Sequence, residues 1–311
     1  MRAAGVRQLN GAVELLELPA PRELRPDEIL IEVRACGVGN WDEFVRTGGW
    51  DTGTRPPMAL GVEAAGIVAA AGVSAGRFAV GDRVATHSVP LREQGAWAGW
   101  LIAPAEHCAV LPPGVSFDAG AALPVPALTA DQVMGDALKV ASGQTVLVNG
   151  AGGVTGGMLV QLAAHRGARV IATAGQESAG RVAAMGAASV VDYHQPDWLA
   201  QVRLLSGGGV DAAANAAKSG AADAVGAVRD GGRLATITSD PPAAQRGITV
   251  LEVVVKPDGA KLGELTGLAA QGVLTISVIR PYPLGQAGAA LTGATHGAHG
   301  AAVILPTAAD A

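Results

Sequence analysis

The sequence predicts an α/β protein in which a doubly wound parallel sheet is joined to a β-rich, barrel-like domain. Between residues 124 and 255, five compact apolar runs alternate with alanine-rich helical stretches. This alternation is typical of a parallel sheet covered by helices on both faces. The preceding residues instead form short strand-like runs separated by glycine and proline, which favours a β-rich domain. The length of 311 residues is sufficient for two domains.

The first domain is predicted to cover residues 1–123. Residues 28–35 (EILIEVRA) alternate apolar and polar side chains, as a strand with one buried face does. Further strand-like runs follow at 57–70, 81–85 and 99–110.

The second domain is predicted to cover residues 124–255. Its expected strands are Thr145–Asn149, Arg169–Thr173, Ser189–Val191, 210–214 and 233–237. From residue 256 onward, the sequence predicts a helix at 260–271 and strands at 273–280 and 302–305. We expect this last stretch to return to the first domain.

Composition excludes several classes of protein. The chain has 44 glycines and 18 prolines, but 49% of its residues are hydrophobic and no Gly-x-y period is present. Disorder and a collagen-like fold are therefore excluded. The net charge of −5 without a basic run argues against a nucleic-acid partner. Two cysteines cannot build a disulfide framework.

The N-terminal residues lack the apolar segment of a signal peptide. No apolar stretch approaches the roughly 20 residues that a membrane-spanning helix needs. We therefore expect a cytoplasmic protein with no membrane partner.

The strongest local motif is the glycine-rich segment at 149–156 (NGAGGVTG) between the first strand and the first helix of the second domain. A dinucleotide-binding turn must be tight, must let its backbone approach a pyrophosphate, and must open a helix whose free N–H groups face the phosphates. The segment fits this requirement with alanine in place of the first glycine. The residues predicted to bind the cofactor here are Ala151, Gly152, Gly153, Val154, Thr155 and Gly156. The alternative is a glycine-rich turn with no ligand.

The end of the second strand indicates which nicotinamide cofactor binds. An NAD site usually has an acidic residue there for the ribose hydroxyls, whereas this strand ends in Thr173 and Ala174. The absence of an acid favours NADP, whose 2′-phosphate Thr173, Ser178 and Arg181 are placed to bind. The alternative for Arg181 is a solvated position on a helix.

Other candidate cofactor ligands follow later strands. Tyr193 is placed to cover the adenine, although an aromatic side chain packed at the sheet edge is the alternative. Asn215, Thr238 and Ser239 follow the fourth and fifth strands, at the carboxyl ends where ligands bind parallel sheets.

Seven segments of the chain carry a resemblance to a known superfamily. In order they are EILIEVRACGVGNWDEFVRTGGW (28–50), LGVEAAGIV (60–68), VGDRV (80–84), GAWAGWLIAPAEHCAVLPPGVSF (95–117), ALPVPALTA (122–130), GQTVLVNGAGGVTGG (143–157) and DGGRLATI (230–237). On these segments the chain resembles the medium-chain dehydrogenase/reductases, and within them the zinc-independent quinone oxidoreductase-like branch. The resemblance implies a GroES-like catalytic domain, a Rossmann domain, and a cleft between them. It also implies a homodimer, for which the apolar run 248–255 at the sheet edge is the expected contact.

The zinc positions of this superfamily are altered. In zinc-dependent relatives a cysteine is the first ligand and a histidine of a G-H-E segment is the second, whereas this chain has Gly39 and Val62 there. Cys36 and Cys108 are expected to be small buried side chains. His296 and His299 form an isolated pair in a glycine-rich loop, where we expect solvation. We therefore predict no metal site.

Loss of zinc restricts the chemistry. Interconversion of a ketone and an alcohol concentrates charge on one oxygen and needs a Lewis acid or a positioned proton donor. Hydride addition to a quinone or an α,β-unsaturated carbonyl instead gives a delocalised anion that solvent protonates. The sequence therefore predicts NADPH-dependent reduction of such a substrate. A dedicated enoyl reductase of a biosynthetic pathway and a non-catalytic NADP-binding protein are the alternatives.

Five residues are candidates for the reaction site. Asn40 is predicted to orient the acceptor oxygen or the nicotinamide carboxamide, and Thr129 to lie near the nicotinamide, where an ordinary helix hydroxyl is the alternative. Asp42 is predicted either to relay a proton or to cap a helix that begins at Glu43. Trp41 and Trp50 would offer a flat apolar surface to a conjugated ring.

Overall fold

The computed structural model describes residues 1–296 and 300–306. The strands are β1 (Arg2–Val6), β2 (Glu14–Glu17), β3 (Glu28–Val38), β4 (Met58–Ala59), β5 (Glu63–Ala71), β6 (Arg83–His87), β7 (Trp100–Pro104), β8 (Cys108–Val110), β9 (Thr145–Asn149), β10 (Arg169–Thr173), β11 (Ser189–Val191), β12 (Val210–Asn215), β13 (Val228–Thr236), β14 (Thr249–Glu252), β15 (Val278–Pro283) and β16 (Ala301–Leu305). The helices are α1 (Asn40–Thr47), α2 (Phe117–Ala122), α3 (Pro124–Asp131), α4 (Val154–His165), α5 (Gln176–Ala184), α6 (Trp198–Leu205), α7 (Ala221–Ala227), α8 (Gly259–Ala270) and α9 (Ala287–Thr295).

The chain divides into two compact units. One contains Met1–Leu128 together with the described residues from Lys256 onward, and the other is Thr129–Val255. The first unit is therefore discontinuous in sequence, since it contains residues that precede the second unit and residues that follow it.

The second unit is built on a six-stranded parallel sheet in the order β11-β10-β9-β12-β13-β14. Leu147, Ile171 and Leu234 are fully buried on these strands, because a parallel sheet with helices on both faces hides both sides of each strand. This order is that of a doubly wound dinucleotide-binding fold, which confirms the predicted fold class. The predicted bounds of β9, β10 and β11 match the structure.

Strand β14 lies at one edge of this sheet. It pairs with β13 through Thr249–Glu252, and no other strand of the described residues pairs with its outer side. Ile248, just before the strand, is buried, whereas Val254, just after it, is 63% exposed. The run 248–255 therefore lies at a sheet edge, as predicted.

The first unit contains a seven-stranded sheet in the order β15-β16-β3-β5-β6-β8, with β7 also paired to β3. The eleven-residue strand β3 is the centre of this sheet, because it pairs with β5, β7 and β16 along its length. Its register against β5 shifts at Leu30/Ile31 and at Val33/Ala35. Such irregularities bend a strand and let a sheet curl. A three-stranded sheet, β2-β1-β4, completes the strands of this unit.

Several predicted elements differ from the structure. The runs 57–70 and 99–110 are each two strands: the first is interrupted between Ala59 and Glu63, and the second by the 3₁₀ helix Ala105–His107. The predicted strand 273–280 is wrong in its first half: β15 begins only at Val278, where its parallel partner Ala301 becomes available. No helix of the described residues is both long enough and apolar enough to cross a bilayer.

Candidate cofactor and substrate sites

The glycine-rich loop follows directly from the end of β9. Gly150 has φ +82°, a left-handed conformation, and a Cβ there would lie 2.7 Å from the backbone nitrogen of Ala217. A Cβ at Gly156 would collide with the carbonyl oxygen of Gly150. Glycine is therefore required at both positions by the packing of the loop against its own unit.

Gly153 is the N-cap of α4 and provides no side-chain cap. The first backbone hydrogen bond of this helix joins the Gly157 N–H to the Gly153 carbonyl. The N–H groups of Val154, Thr155 and Gly156 therefore have no acceptor within the helix. A free helix N-terminus next to an open glycine backbone suits an anionic phosphate.

The hydroxyl of Thr173 holds this loop in place. It donates to Asn149 Oδ1 (2.6 Å) and accepts from the Gly150 N–H (3.0 Å). A hydroxyl has one proton to donate, and in this structure that proton goes to Asn149. The sequence predicted that Thr173 donates to a 2′-phosphate. In the structure its hydroxyl instead bonds to the loop.

Asn215 and Thr238 belong to a buried hydrogen-bond network. Asn215 accepts from Asn149 Nδ2 (2.8 Å) and donates to Thr238 Oγ1 (2.9 Å). Thr238 in turn donates to Asp240 Oδ1 (2.6 Å). Asn215 and Thr238, which the sequence predicted as cofactor ligands, are thus bonded to other side chains of the protein. Ser239, the third predicted ligand, is exposed, and its backbone is left-handed (φ +54°).

Asp240, which the sequence analysis missed, anchors that network. Burial raises the pKa of its carboxyl, but hydrogen bonds from Thr238 and Thr236 outweigh burial and hold it below the ordinary value. The aspartate therefore stays ionised, and it accepts hydrogen bonds from Thr236 at the end of β13, from Thr238, and from the Ala221 N–H. Its position four residues beyond β13 carries no motif that would have identified it.

Arg181 and Ser178 converge on the glycine-rich loop. Arg181 Nη2 lies 2.7 Å from the carbonyl oxygen of Gly152 and 3.4 Å from Ser178 Oγ. Ala174, where an NAD site would have an acid, is buried. A cation is thus fixed beside the loop and no carboxylate occupies the end of β10, so Arg181 is not a freely solvated helix residue.

Tyr193 lies beside the N-cap of α5. Its ring is 4.1 Å from the ring of His194, centroid to centroid, and a Cβ at Gly175 would lie 3.3 Å from His194 Cε1. His194 Nδ1 is 2.7 Å from Asp192 Oδ1. Tyr193 is 49% exposed, so about half of this side chain is accessible next to the start of α5. Sequence reasoning missed His194.

In the first unit, α1 begins earlier than predicted. Gly39 is its N-cap and Asn40 its first residue, so the expected start at Glu43 is wrong. Asp42 accepts the Gly39 N–H through Oδ2 (2.9 Å), which means that it caps the helix from inside the first turn. Asn40 is exposed, while Asp42 is fully buried.

Two buried carboxyls lie in this region. Burial raises the pKa of Asp42 to about 7, against the stabilising N–H groups of Gly39 and Gly61. Burial also raises the pKa of Glu63 well above its ordinary value, although its Oε2 accepts the Val125 N–H (2.8 Å). Glu63, which sequence reasoning passed over, ties the start of β5 to the first turn of α3.

Trp50 lies near a buried histidine that the sequence did not single out. The rings of Trp50 and His87 are 6.2 Å apart. His87 Nδ1 is 3.2 Å from the carbonyl oxygen of Val62, which only accepts, so Nδ1 carries the proton. Burial lowers the pKa of His87 to about 4, and the ring is therefore neutral at pH 7.

Trp41 packs its ring against the backbone of Gly39. Within the described residues, its Nε1 is buried without a hydrogen-bond partner. Thr129 lies on α3 and is 6% exposed. Asn40, Asp42, Trp41 and Trp50 thus belong to the first unit, while Thr129 belongs to the second.

The residues at the zinc positions do not fit the metal. Gly39 and Val62 have no ligand atoms in their side chains, and zinc needs cysteine, histidine or carboxylate donors. Cys36 Sγ donates to the Ala96 carbonyl and Cys108 Sγ to the Pro104 carbonyl, and burial raises the pKa of both thiols. Residues 1–296 and 300–306 contain no group of three or more His, Cys, Asp or Glu suited to a metal ion. His299 lies outside these residues.

Comparison with known proteins identifies two matching family models. Residues 25–113 match the alcohol dehydrogenase GroES-like domain, and residues 154–257 match the zinc-binding dehydrogenase domain. The chain is 35% identical over 204 residues to a quinone oxidoreductase of Lama guanicoe, an alignment that covers 63% of this chain and 59% of that protein. The chain thus spans less than two thirds of the length of this curated relative.

Two solved structures share the fold over almost the whole chain. An NAD-dependent alcohol dehydrogenase superposes with a TM-score of 0.87 at 28% identity, covering 98% of this chain and 99% of that one. A mycobacterial protein solved in complex with NADPH superposes with a TM-score of 0.84 at 29% identity, covering 98% and 100%.

Proposed function

Because the chain belongs to the medium-chain dehydrogenase/reductase superfamily, in its quinone oxidoreductase-like branch, we propose that it is a zinc-independent NADPH-dependent reductase of quinones or α,β-unsaturated carbonyls. The observation that carries the proposal is the combination of a dinucleotide-type glycine-rich loop with residues at both zinc positions, Gly39 and Val62, that offer no ligand atom to a metal. The relative from Lama guanicoe supports the quinone part of the proposal.

NADP is proposed over NAD on the strength of two positions. The end of β10 offers Ala174, which does not repel a 2′-phosphate, and Arg181 is fixed beside Gly152. An arginine guanidinium forms strong charge-assisted hydrogen bonds with phosphate. The NADPH complex of the mycobacterial relative is consistent with this assignment. In this proposal Ser178 assists Arg181, and Tyr193 covers the adenine.

The bound cofactor would supply a hydride to an electrophilic carbon of the substrate. The resulting enolate or phenolate is delocalised and takes its proton from water, so the protein needs no Lewis acid at the oxygen. Asn40, exposed at the first position of α1, would orient the acceptor oxygen or the carboxamide. Thr129 would hydrogen-bond near the nicotinamide, and Trp41 and Trp50 would line the substrate pocket.

A homodimer through β14 and a cytoplasmic location are parts of the same proposal. No strand of the described part of the chain pairs with the outer side of β14, which supports the dimer, since an apolar edge strand invites pairing with a second copy.

The decisive experiment measures loss of NADPH absorbance with 1,4-naphthoquinone and, separately, with 2-cyclohexen-1-one. We expect turnover with NADPH, a weaker response with NADH, and no loss of activity after prolonged dialysis against EDTA. Turnover of the enone alone would favour a dedicated enoyl reductase. Tight NADPH binding without turnover of either acceptor would contradict the proposal and favour a non-catalytic NADP-binding protein. Activity lost to EDTA and restored by zinc would overturn the zinc-independent part.

A further inference from the structure

We propose that Asp240 is a positioning residue for the glycine-rich loop, on which it acts through a network of buried side chains. This carboxyl-end network consists of Thr173, Asn149, Asn215, Thr236, Thr238 and Asp240. It lies at the carboxyl ends of the four neighbouring strands β10, β9, β12 and β13. The affinity part of this inference rests on the proposed function, because the loop is the site proposed for the dinucleotide.

The carboxylate of Asp240 fixes the direction of the hydrogen bonds at its end of the network. Its Oδ1 accepts from the hydroxyls of Thr236 (2.8 Å) and Thr238 (2.6 Å), and its Oδ2 accepts the Ala221 N–H (3.2 Å). A carboxylate cannot donate, a hydroxyl has one proton to give, and an ionised acceptor forms the stronger bond. Both threonine protons therefore go to Asp240, and both threonine oxygens face Asn215 as acceptors.

The amide of Asn215 continues this order. Its Nδ2 donates towards Thr238 Oγ1 (2.9 Å), Thr236 Oγ1 (3.1 Å) and the carbonyl of Ala217 (3.0 Å). Its Oδ1 therefore faces the other way, where it accepts from Asn149 Nδ2 (2.8 Å). The side chain thus connects the end of β12 with the ends of both neighbouring strands.

Asn149 and Thr173 bring the same order to the loop. Since Asn149 donates through Nδ2, its Oδ1 accepts the Thr173 hydroxyl (2.6 Å), and that hydroxyl in turn accepts the Gly150 N–H (3.0 Å). The carbonyl of Thr173 accepts the next N–H of the loop, that of Ala151 (3.0 Å). Every donor from Gly150 onward therefore points towards Asp240, and bonds aligned in this way strengthen one another.

Pairing of the strands does not by itself explain such a network. Asn149, Thr173 and Asn215 are at most 5% exposed, and buried polar groups are costly unless they are fully bonded. A Cβ at Gly220 would lie 2.7 Å from Asn149 Nδ2 and 2.9 Å from Asn215 Oδ1, so the backbone is packed closely around the two amides. Ligands bind open α/β sheets at this end of the strands. The network is therefore placed to hold the loop in the conformation that receives a ligand.

The test is a double-mutant cycle of D240A and T173V. In D240A both threonine hydroxyls lose their acceptor and turn elsewhere, which removes the fixed acceptors of Asn215. T173V separates the loop from the network at its other end. D211A is the matched control, because Asp211 accepts the Thr145 N–H (2.7 Å) at the amino ends of the same two strands, β12 and β9.

For each protein, the Kd of NADPH is measured by fluorescence titration, the free energy of unfolding by urea denaturation, and the exchange of the Gly150 N–H by hydrogen–deuterium exchange. If D240A does not fold, D240N takes its place in the cycle. The asparagine oxygen still accepts from the threonine hydroxyls, but the charge is gone.

We expect D240A and T173V each to raise the Kd of NADPH about fivefold, a typical coupling within one hydrogen-bond network. The double variant should match T173V, because a loop already separated from the network cannot respond to Asp240. D211A should lose stability and keep the wild-type Kd. Effects that multiply to about 25-fold in the double variant would overturn the proposal. A folded D240A with the wild-type Kd would do the same, as would an equal rise in D211A.

Exchange of the Gly150 N–H distinguishes failure of this inference from failure of the proposed function. If the wild type binds no NADPH, the proposed function fails, but faster exchange at Gly150 in D240A than in D211A still supports the positioning role. If the wild type binds NADPH and the exchange of Gly150 is the same in D240A and D211A, the positioning role fails and the proposed function stands.

Discussion

Arg181 holds its guanidinium 2.7 Å from the carbonyl oxygen of Gly152, so a cation on α5 is fixed to the loop that is proposed to receive a pyrophosphate. The glycine contributes no side chain, and the arginine therefore contributes the charge of this part of the site. This arrangement makes the preference for NADPH testable at one residue.

Substitution of Arg181 by alanine is expected to raise the Kd of NADPH about tenfold or more, since a charge-assisted hydrogen bond contributes about 1.5–3 kcal/mol. The Kd of NADH should change little. Fluorescence titration with both cofactors measures the difference. R181K is the control, because it keeps the charge without the planar fork. Equal weakening of both cofactors in R181A would mean that Arg181 only supports the loop.

Replacement of Thr173 by valine removes the hydroxyl and keeps the shape. Asn149 Oδ1 then loses a donor and the Gly150 N–H loses an acceptor, both in a buried setting. We expect a loss of about 1–3 kcal/mol in the free energy of unfolding, measured by urea denaturation. T173S, which retains the hydroxyl, should lose less. A T173V as stable as the wild type would contradict the role of Thr173 in holding the loop.

The buried His87 is expected to make stability depend on acid pH. The unfolded chain binds a proton at this residue below about pH 6.5, whereas the folded chain does so only below about pH 4. Stability is therefore fully present above pH 6.5 and is lost as the pH falls towards 4, by about 3 kcal/mol. H87N, whose amide can still donate to the Val62 carbonyl, should lack this loss.

Urea denaturation of both proteins at several pH values isolates this effect, because other titrating groups are common to the pair. A difference in free energy of unfolding between wild type and H87N that stays constant from pH 7 to about pH 4 would show that His87 is not desolvated in the native protein.

Val254 follows the free edge strand and is 63% exposed. If a second copy pairs with β14, V254K places charges at the contact and shifts the equilibrium towards the monomer. Light scattering coupled to size exclusion measures the mass. V80K is the matched control, since Val80 is 70% exposed in the first unit. A monomeric wild type, or a V254K that remains dimeric, would contradict a dimer through this edge.

The sequence allowed the doubly wound sheet to be predicted closely because its strands are buried on both faces. The bounds of β9, β10 and β11 were therefore visible as short apolar runs. In the seven-stranded sheet of the first unit the pattern of buried apolar residues is weaker. The start of β15 depends on where its partner Ala301 becomes available for pairing. Such long-range pairing leaves no local signal.

Some residues of the candidate site could be predicted from the sequence, and others could not. The loop around Gly153 has a motif, and Arg181 was found from the expected position of a phosphate ligand. Asp240 and His87 could not be found, because their burial and hydrogen bonds depend on residues distant in the chain. The hydrogen bonds of the Thr173 hydroxyl could not be predicted for the same reason.

The two loop glycines Gly150 and Gly153 offer a way to uncouple folding from ligand capture by mutation. Gly150 is constrained by the protein itself, through its left-handed backbone and through Ala217. Among the described residues other than its immediate neighbours, a Cβ on Gly153 would come no closer than 3.7 Å to any atom. The G153A variant should therefore fold, and any loss of cofactor binding in it would come from a clash between the added methyl group and the ligand. That variant would provide a binding-deficient but intact scaffold for complementation or engineering work, which no substitution at 150 can give.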